Sequence, residues 1–131
     1  MSIRVQIISK DNGVGLSRDV AILRDAIMLF RPEAEVVFAD WRDRGRRTKP
    51  RHFDLNIFLE LVNPQFFGDA RKNVMVPNPE WYIREWMQQV RRFDEVWAKT
   101  KAAEIAFAPY NSHTVFIGWD SVDMYDASVP R

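Results

Sequence analysis

Residues 54–62 read DLNIFLELV and residues 73–76 read NVMV, and each apolar run leads to an Asn-Pro pair, Asn63-Pro64 and Asn78-Pro79. Proline has no backbone N–H and drives the residue before it away from the helical region. Each run therefore reads as a strand halted at its carboxyl end. In an open parallel sheet, ligands bind outside the carboxyl ends of the strands, which makes the two corners the first place to look for a site.

Upstream, Ile3, Val5, Ile7 and Ile8 form a nearly continuous apolar run, the pattern of a central strand covered on both faces. A turn-forming stretch, Ser9 to Ser17, leads into a helical repeat at Val20, Leu23, Ala26, Ile27 and Phe30. Ser17 or Asn12 suits its cap, and Arg31-Pro32 stops it. Glu35 to Ala39 reads as strand two, closed by Asp40, and strands three and four are expected at Leu55 to Val62 and Asn73 to Val76. Asn78, Pro79 and Glu80 suit the N-cap, first and second positions of a helix that repeats through Tyr82, Ile83, Trp86, Met87, Val90 and Phe93. Asp94 to Ala98 is strand five, Thr100 to Ala108 a short helix, and Thr114 to Trp119 strand six. Such alternation predicts one α/β domain over residues 1–131: a three-layer, doubly wound, mostly parallel, Rossmann-like sheet of order 3-2-1-4-5-6. The link between strands two and three shows no strong helical repeat and reads as an extended basic loop.

A hydrophobic content of 47% with 13% aromatics supplies a globular core and argues against a disordered chain. The absence of cysteine excludes disulfides and thiolate metal sites, and two distant histidines make no zinc site, so neither metal nor cofactor is expected. The N-terminus lacks a signal-peptide pattern and no apolar run approaches the ~20 residues of a membrane helix; a cytoplasmic location is the expectation. The net charge of +1 leaves the charge clusters to decide partners. One cluster, Arg42 to Arg51, could meet a membrane surface or phosphates. It lacks the aromatic ladder of a single-strand platform, so nucleic acid is not the expected partner.

Several residues carry the functional reading. Gly13, Gly15 and Ser17, between strand one and its helix, suit a phosphate approached by backbone N–H groups, or simply a tight turn. Arg18 stands where the dinucleotide fingerprint needs a third glycine, although Asp40 sits where such a fold grips a ribose hydroxyl. Asn63 and Gln65 offer amides to a ligand, Asn63 the more so because no helix follows for it to cap. Asn78 serves first as a cap. Glu60 and Glu104 are carboxylates without a visible partner, so no complete catalytic set is legible.

The segments LNIFLELVNPQFF, NVMVPNPEWY, FDEVWAKTKAAEIAF and TVFIGWDSVD, taken in order, resemble the N-terminal, acceptor-side domain of glycosyltransferases with the GT-B architecture. The resemblance spans roughly Ile3 to Asp123. It implies a Rossmann-like domain that works with a second GT-B domain and is inactive without one. The ligands it implies are a nucleotide-sugar donor and an unspecified acceptor. Gly13 and Gly15 would lie near donor phosphates, and Asn63, Asn78, Glu80, Thr100 and Lys101 along the interdomain crevice. No residue is thereby marked as catalytic. Self-association as a homodimer is an alternative way to cover apolar surface. The competing reading is a non-catalytic nucleotide- or partner-binding module of the same fold.

Overall fold

The computed structural model describes residues 3–10, 15–42, 52–77 and 88–118, with the side chains of 15–17 left aside. Six strands form one sheet: β1 (Arg4–Ser9), β2 (Glu35–Asp40), β3 (Phe53–Leu59), β4 (Ala70–Val76), β5 (Glu95–Ala98) and β6 (Thr114–Phe116). Every neighbouring pair is parallel. Two α-helices are described, α1 (Gly15–Phe30) and α2 (Lys101–Phe107), along with 3-10 segments at Pro64–Asp69 and Val90–Arg92. The α/β, doubly wound class expected from the alternation is the observed one. The first part of the expected helix after Asn78, Glu80 included, lies outside the described residues, as do the Asn12 cap, Gly13 and the basic stretch beyond Arg42; the end expected at Val90 and Phe93 is instead the 3-10 turn Val90–Arg92, with Phe93 extended.

The strand order corrects the expectation. It is β2-β1-β3-β4-β5-β6, not 3-2-1-4-5-6: the third strand inserts beside the first instead of extending the sheet beyond the second. Burial explains the choice. In β3, Phe53 and the run Asn56 to Leu59 are buried, whereas β2 has no buried residue and exposes Phe38. A strand apolar on both faces belongs in the middle, and an amphipathic one tolerates the edge.

Side-chain polarity reinforces that order. Gln6, Asn56 and Asn73 are register partners on β1, β3 and β4. Gln6 Nε2 donates to Asn56 Oδ1 at 2.9 Å, and Asn56 Nδ2 donates to Asn73 Oδ1 at 2.9 Å and to the Phe66 carbonyl at 2.8 Å. Asn73 Nδ2 donates to the Phe67 carbonyl at 3.1 Å. Gln6 and Asn56 are fully buried, and these bonds offset the cost of burying their amides, while Gln6 Oε1 has no hydrogen-bond partner among the described residues. Only with β3 between β1 and β4 do these three meet.

Alternating residues divide the core. Val5, Ile7, Ile57, Leu59 and Val76 pack with Leu23 of α1 on one face. On the other face, Ile8, Phe58 and Met75 pack with Phe66, Phe93, Ala103 and Phe107. Phe58 meets Phe66, Phe67 and Phe93 edge to face, with ring centroids 5.2–6.5 Å apart, a geometry that adds to simple burial. Phe66 and Phe67 are thus core aromatics. With α1 on one face and α2 with the two 3-10 segments on the other, the carboxyl ends of β1 and β3 flank the point where the chain changes direction.

Candidate functional site

Three chain segments meet at the carboxyl edge of the sheet. Lys99 follows β5, Glu60 follows β3, and Asp19 lies near the start of α1. Lys99 Nζ donates to Asp19 Oδ2 at 2.8 Å and lies 3.5 Å from Glu60 Oε1. All three side chains are withdrawn from solvent, at 15% exposure for Lys99, 18% for Asp19 and 13% for Glu60, so their interaction is screened less than a surface pair would be. Among these three side chains, two carboxylates share one ammonium.

Glu60 is the one residue other than glycine with positive φ among those described, at 67°. Its N–H donates to the Val76 carbonyl at 2.9 Å, carrying contact with β4 one residue past the strand. An L-residue in the left-handed region costs about 1–2 kcal/mol, which the surroundings must offset. Sequence reasoning left Glu60 without a partner. Lys99 supplies one, from a segment 39 residues away that the linear spacing of charges does not reveal.

Beside this group, β1 and β3 are clasped by Ser9, whose Oγ donates to the Leu59 carbonyl at 3.3 Å. The Ser9 carbonyl accepts from Trp41 N–H at 2.9 Å. Asn63 completes this corner differently from the expectation that it has no helix to cap. Its Oδ1 accepts from Gln65 N–H at 3.1 Å, capping the Pro64–Asp69 3-10 turn, and its Nδ2 donates to the Trp41 carbonyl at 2.6 Å. Both ends of the amide are therefore engaged within the protein.

The other expected site residues divide between structure and surface. Thr100 Oγ1 accepts from Ala103 N–H at 3.0 Å and caps α2. Lys101 is exposed, pairs with Glu104 at 3.4 Å, and holds its ammonium 4.3 Å from the Phe116 ring centroid. Gln65 is exposed. Gly15 opens α1, while Gly13, Asn78, Glu80 and the Ser17 side chain lie outside the described residues. Asp40 accepts from the Arg42 backbone N–H at 2.9 Å, which holds its carboxyl below the usual range with help from the guanidinium. That is a local turn role.

A concavity of about 650 Å³, mostly apolar, is lined by Ile22, Leu23, Ala26 and Phe30 of α1 with Trp97, Ile117 and Gly118. Among the described residues no cluster of three potential ligands could hold a metal, and no helix is long and apolar enough to cross a membrane.

No protein family, curated protein or solved structure matches the chain. The site must be read from its own chemistry. At the carboxyl edge of the sheet, a partly dehydrated group of two acids and one base provides hydrogen-bond acceptors beside a cation, a combination suited to orienting a polar ligand.

Proposed function

We propose that this chain is the acceptor-side domain of a GT-B-like glycosyltransferase, which takes part in moving a sugar from a nucleotide-sugar donor to an acceptor. One observation carries the reading. Two segments of the resemblance, LNIFLELVNPQFF and FDEVWAKTKAAEIAF, contribute Glu60 and Lys99, and these lie 3.5 Å apart at the carboxyl edge where doubly wound sheets bind ligands. In this proposal the Gly13 to Gly15 turn faces donor phosphates, a second GT-B domain completes the crevice, and the protein works in the cytoplasm.

The test is isothermal titration with a panel of nucleotide sugars, with a donor-side domain supplied in trans, followed by a transfer assay on the best binder. Binding and transfer are expected. Absence of both across the panel contradicts the proposal.

The apolar groove beside Phe30 favours a second reading, a non-catalytic partner-binding module of the same fold, because Leu29 and Phe30 are 75% and 80% exposed. That reading expects Phe30→Lys to abolish partner association. The transferase reading expects nucleotide-sugar binding to survive the same change.

A further inference from the structure

We propose that the groove between α1 and the β5–β6 end of the sheet is the contact through which two copies of this chain form a weak two-fold dimer. The inference deepens the partner-binding reading above, and rests on it, by naming the partner. The helical period gives α1 two apolar arcs. Val20, Leu23 and Ile27 pack onto the sheet. Ile22, Ala26, Leu29 and Phe30 lie within about 100° of one another beside that arc, and Leu29 and Phe30 are 75% and 80% exposed.

The facing wall belongs to the sheet. Trp97 and Val115 are register partners on β5 and β6, so their side chains share one side, and Ile117 follows two residues on. Val115 and Ile117 are themselves about half exposed. One surface thus carries two projecting side chains, Leu29 and Phe30, beside a hollow lined by Ile22, Trp97 and Ile117. A two-fold contact needs a surface complementary to itself, with projection and receptacle in the same patch. In the proposed dimer each copy sets Leu29 and Phe30 into the hollow of the other.

Charge and area agree with that occupant. None of these side chains is charged, and at the Phe30 end of α1 the charges form pairs of opposite sign, Arg24 with Asp25 at 3.7 Å and Arg31 with Glu33 at 2.8 Å. A copy therefore meets its own image without like charges in opposition, whereas a foreign partner finds no charge in the patch to select it. The other sheet edge differs. Glu35 and Asp40 bound β2 around the exposed Phe38, and antiparallel self-pairing there sets acid against acid. Phe30 alone presents roughly 120–200 Å², and with Leu29, Val115 and Ile117 the patch is on the order of 500 Å². Two such patches bury roughly 1,000 Å², the lower bound for a specific interface and an area suited to a weak, exchanging dimer.

Sedimentation velocity on the full chain, from about 1 to 500 μM, tests the proposal. Wild type is expected to pass from monomer to dimer within that range. Phe30→Lys is expected to weaken dimerisation about tenfold or more, and Phe38→Lys to leave it unchanged, with both variants checked by thermal melting. The chain has no cysteine, so Leu29→Cys mixed with Ile117→Cys and oxidised is expected to give more disulfide-linked dimer than either variant alone. A wild type that stays monomeric throughout overturns the inference, as does a dimer that Phe30→Lys leaves intact. If the monomer's amide NMR signals from residues 119–131 move on Phe30→Lys, the groove belongs to that segment, and both the dimer and the partner-binding reading fall. A monomer in which they do not move tells against the second copy alone and leaves the groove to a foreign partner.

Discussion

The Lys99 ammonium donates to the Asp19 carboxylate at 2.8 Å across a sequence separation of 80 residues, tying the end of β5 to the start of α1. Replacing Lys99 with methionine keeps the aliphatic stem but leaves Asp19 and Glu60 without their shared cation. Breaking a fully buried pair costs about 3–5 kcal/mol, and the residual solvent access here reduces that to about 1–3 kcal/mol. Urea denaturation of Lys99→Met should show a lowered midpoint with an unchanged slope. Asp19→Asn should cost less, because Lys99 keeps Glu60.

The amide ladder makes a second prediction. Asn56→Ala removes the middle member and leaves Gln6 Nε2, Asn73 Oδ1 and the Phe66 carbonyl each short of a partner. Each unsatisfied buried group costs about 1–3 kcal/mol, so a total loss of about 3 kcal/mol is expected, measured by the same denaturation. Asn56→Leu should not restore stability, since the neighbouring amides remain unbonded.

How much of this was legible in the sequence follows from the physics of each signal. The alternation of apolar strands and helical repeats gave the class, because both periodicities are local. β3 shows how strand order is written in the chain: its continuous apolar run marks a central strand, and the polar residues Gln6, Asn56 and Asn73 hydrogen-bond one another across neighbouring strands. The site was less legible. Asn-Pro corners mark chain reversals through local backbone sterics, and Asn63 proved to cap a 3-10 turn that its proline begins. Glu60 and Lys99 are single charges on separate strands, and only strand pairing brings them together.

Asn63→Ala offers a third prediction. It removes the cap on Gln65 N–H and the bond to the Trp41 carbonyl, and should cost about 1–2 kcal/mol. Because Trp41 N–H also bonds Ser9, proteolysis after Arg42 should become faster than in wild type.

Acid sensitivity follows from Glu95. The Lys72 ammonium, donating to its carboxylate, lowers the Glu95 pKa from its ordinary 4.5, and Trp97 Nε1 donates at 3.1 Å. A pKa lower in the folded state gives stability that is present above the unfolded value and is lost as pH falls through the folded one. Glu95→Gln should therefore be less stable than wild type at neutral pH, and the gap should close as pH falls below the ordinary carboxylate range. A gap that stays constant over that range would rule out the Lys72 contact as its source.

The central claim is that the carboxyl edge between β1, β3 and β5 is the ligand site. Backbone amide NMR during titration with the nucleotide sugar bound most tightly tests it directly. The account predicts shifts concentrated at Ser9, Asp19, Glu60 and Lys99, with Arg4, Phe53 and Glu95 at the opposite ends of the strands unmoved. Shifts at those opposite ends, or along the Ile22 to Phe30 face of α1 without any at Glu60 and Lys99, would contradict it.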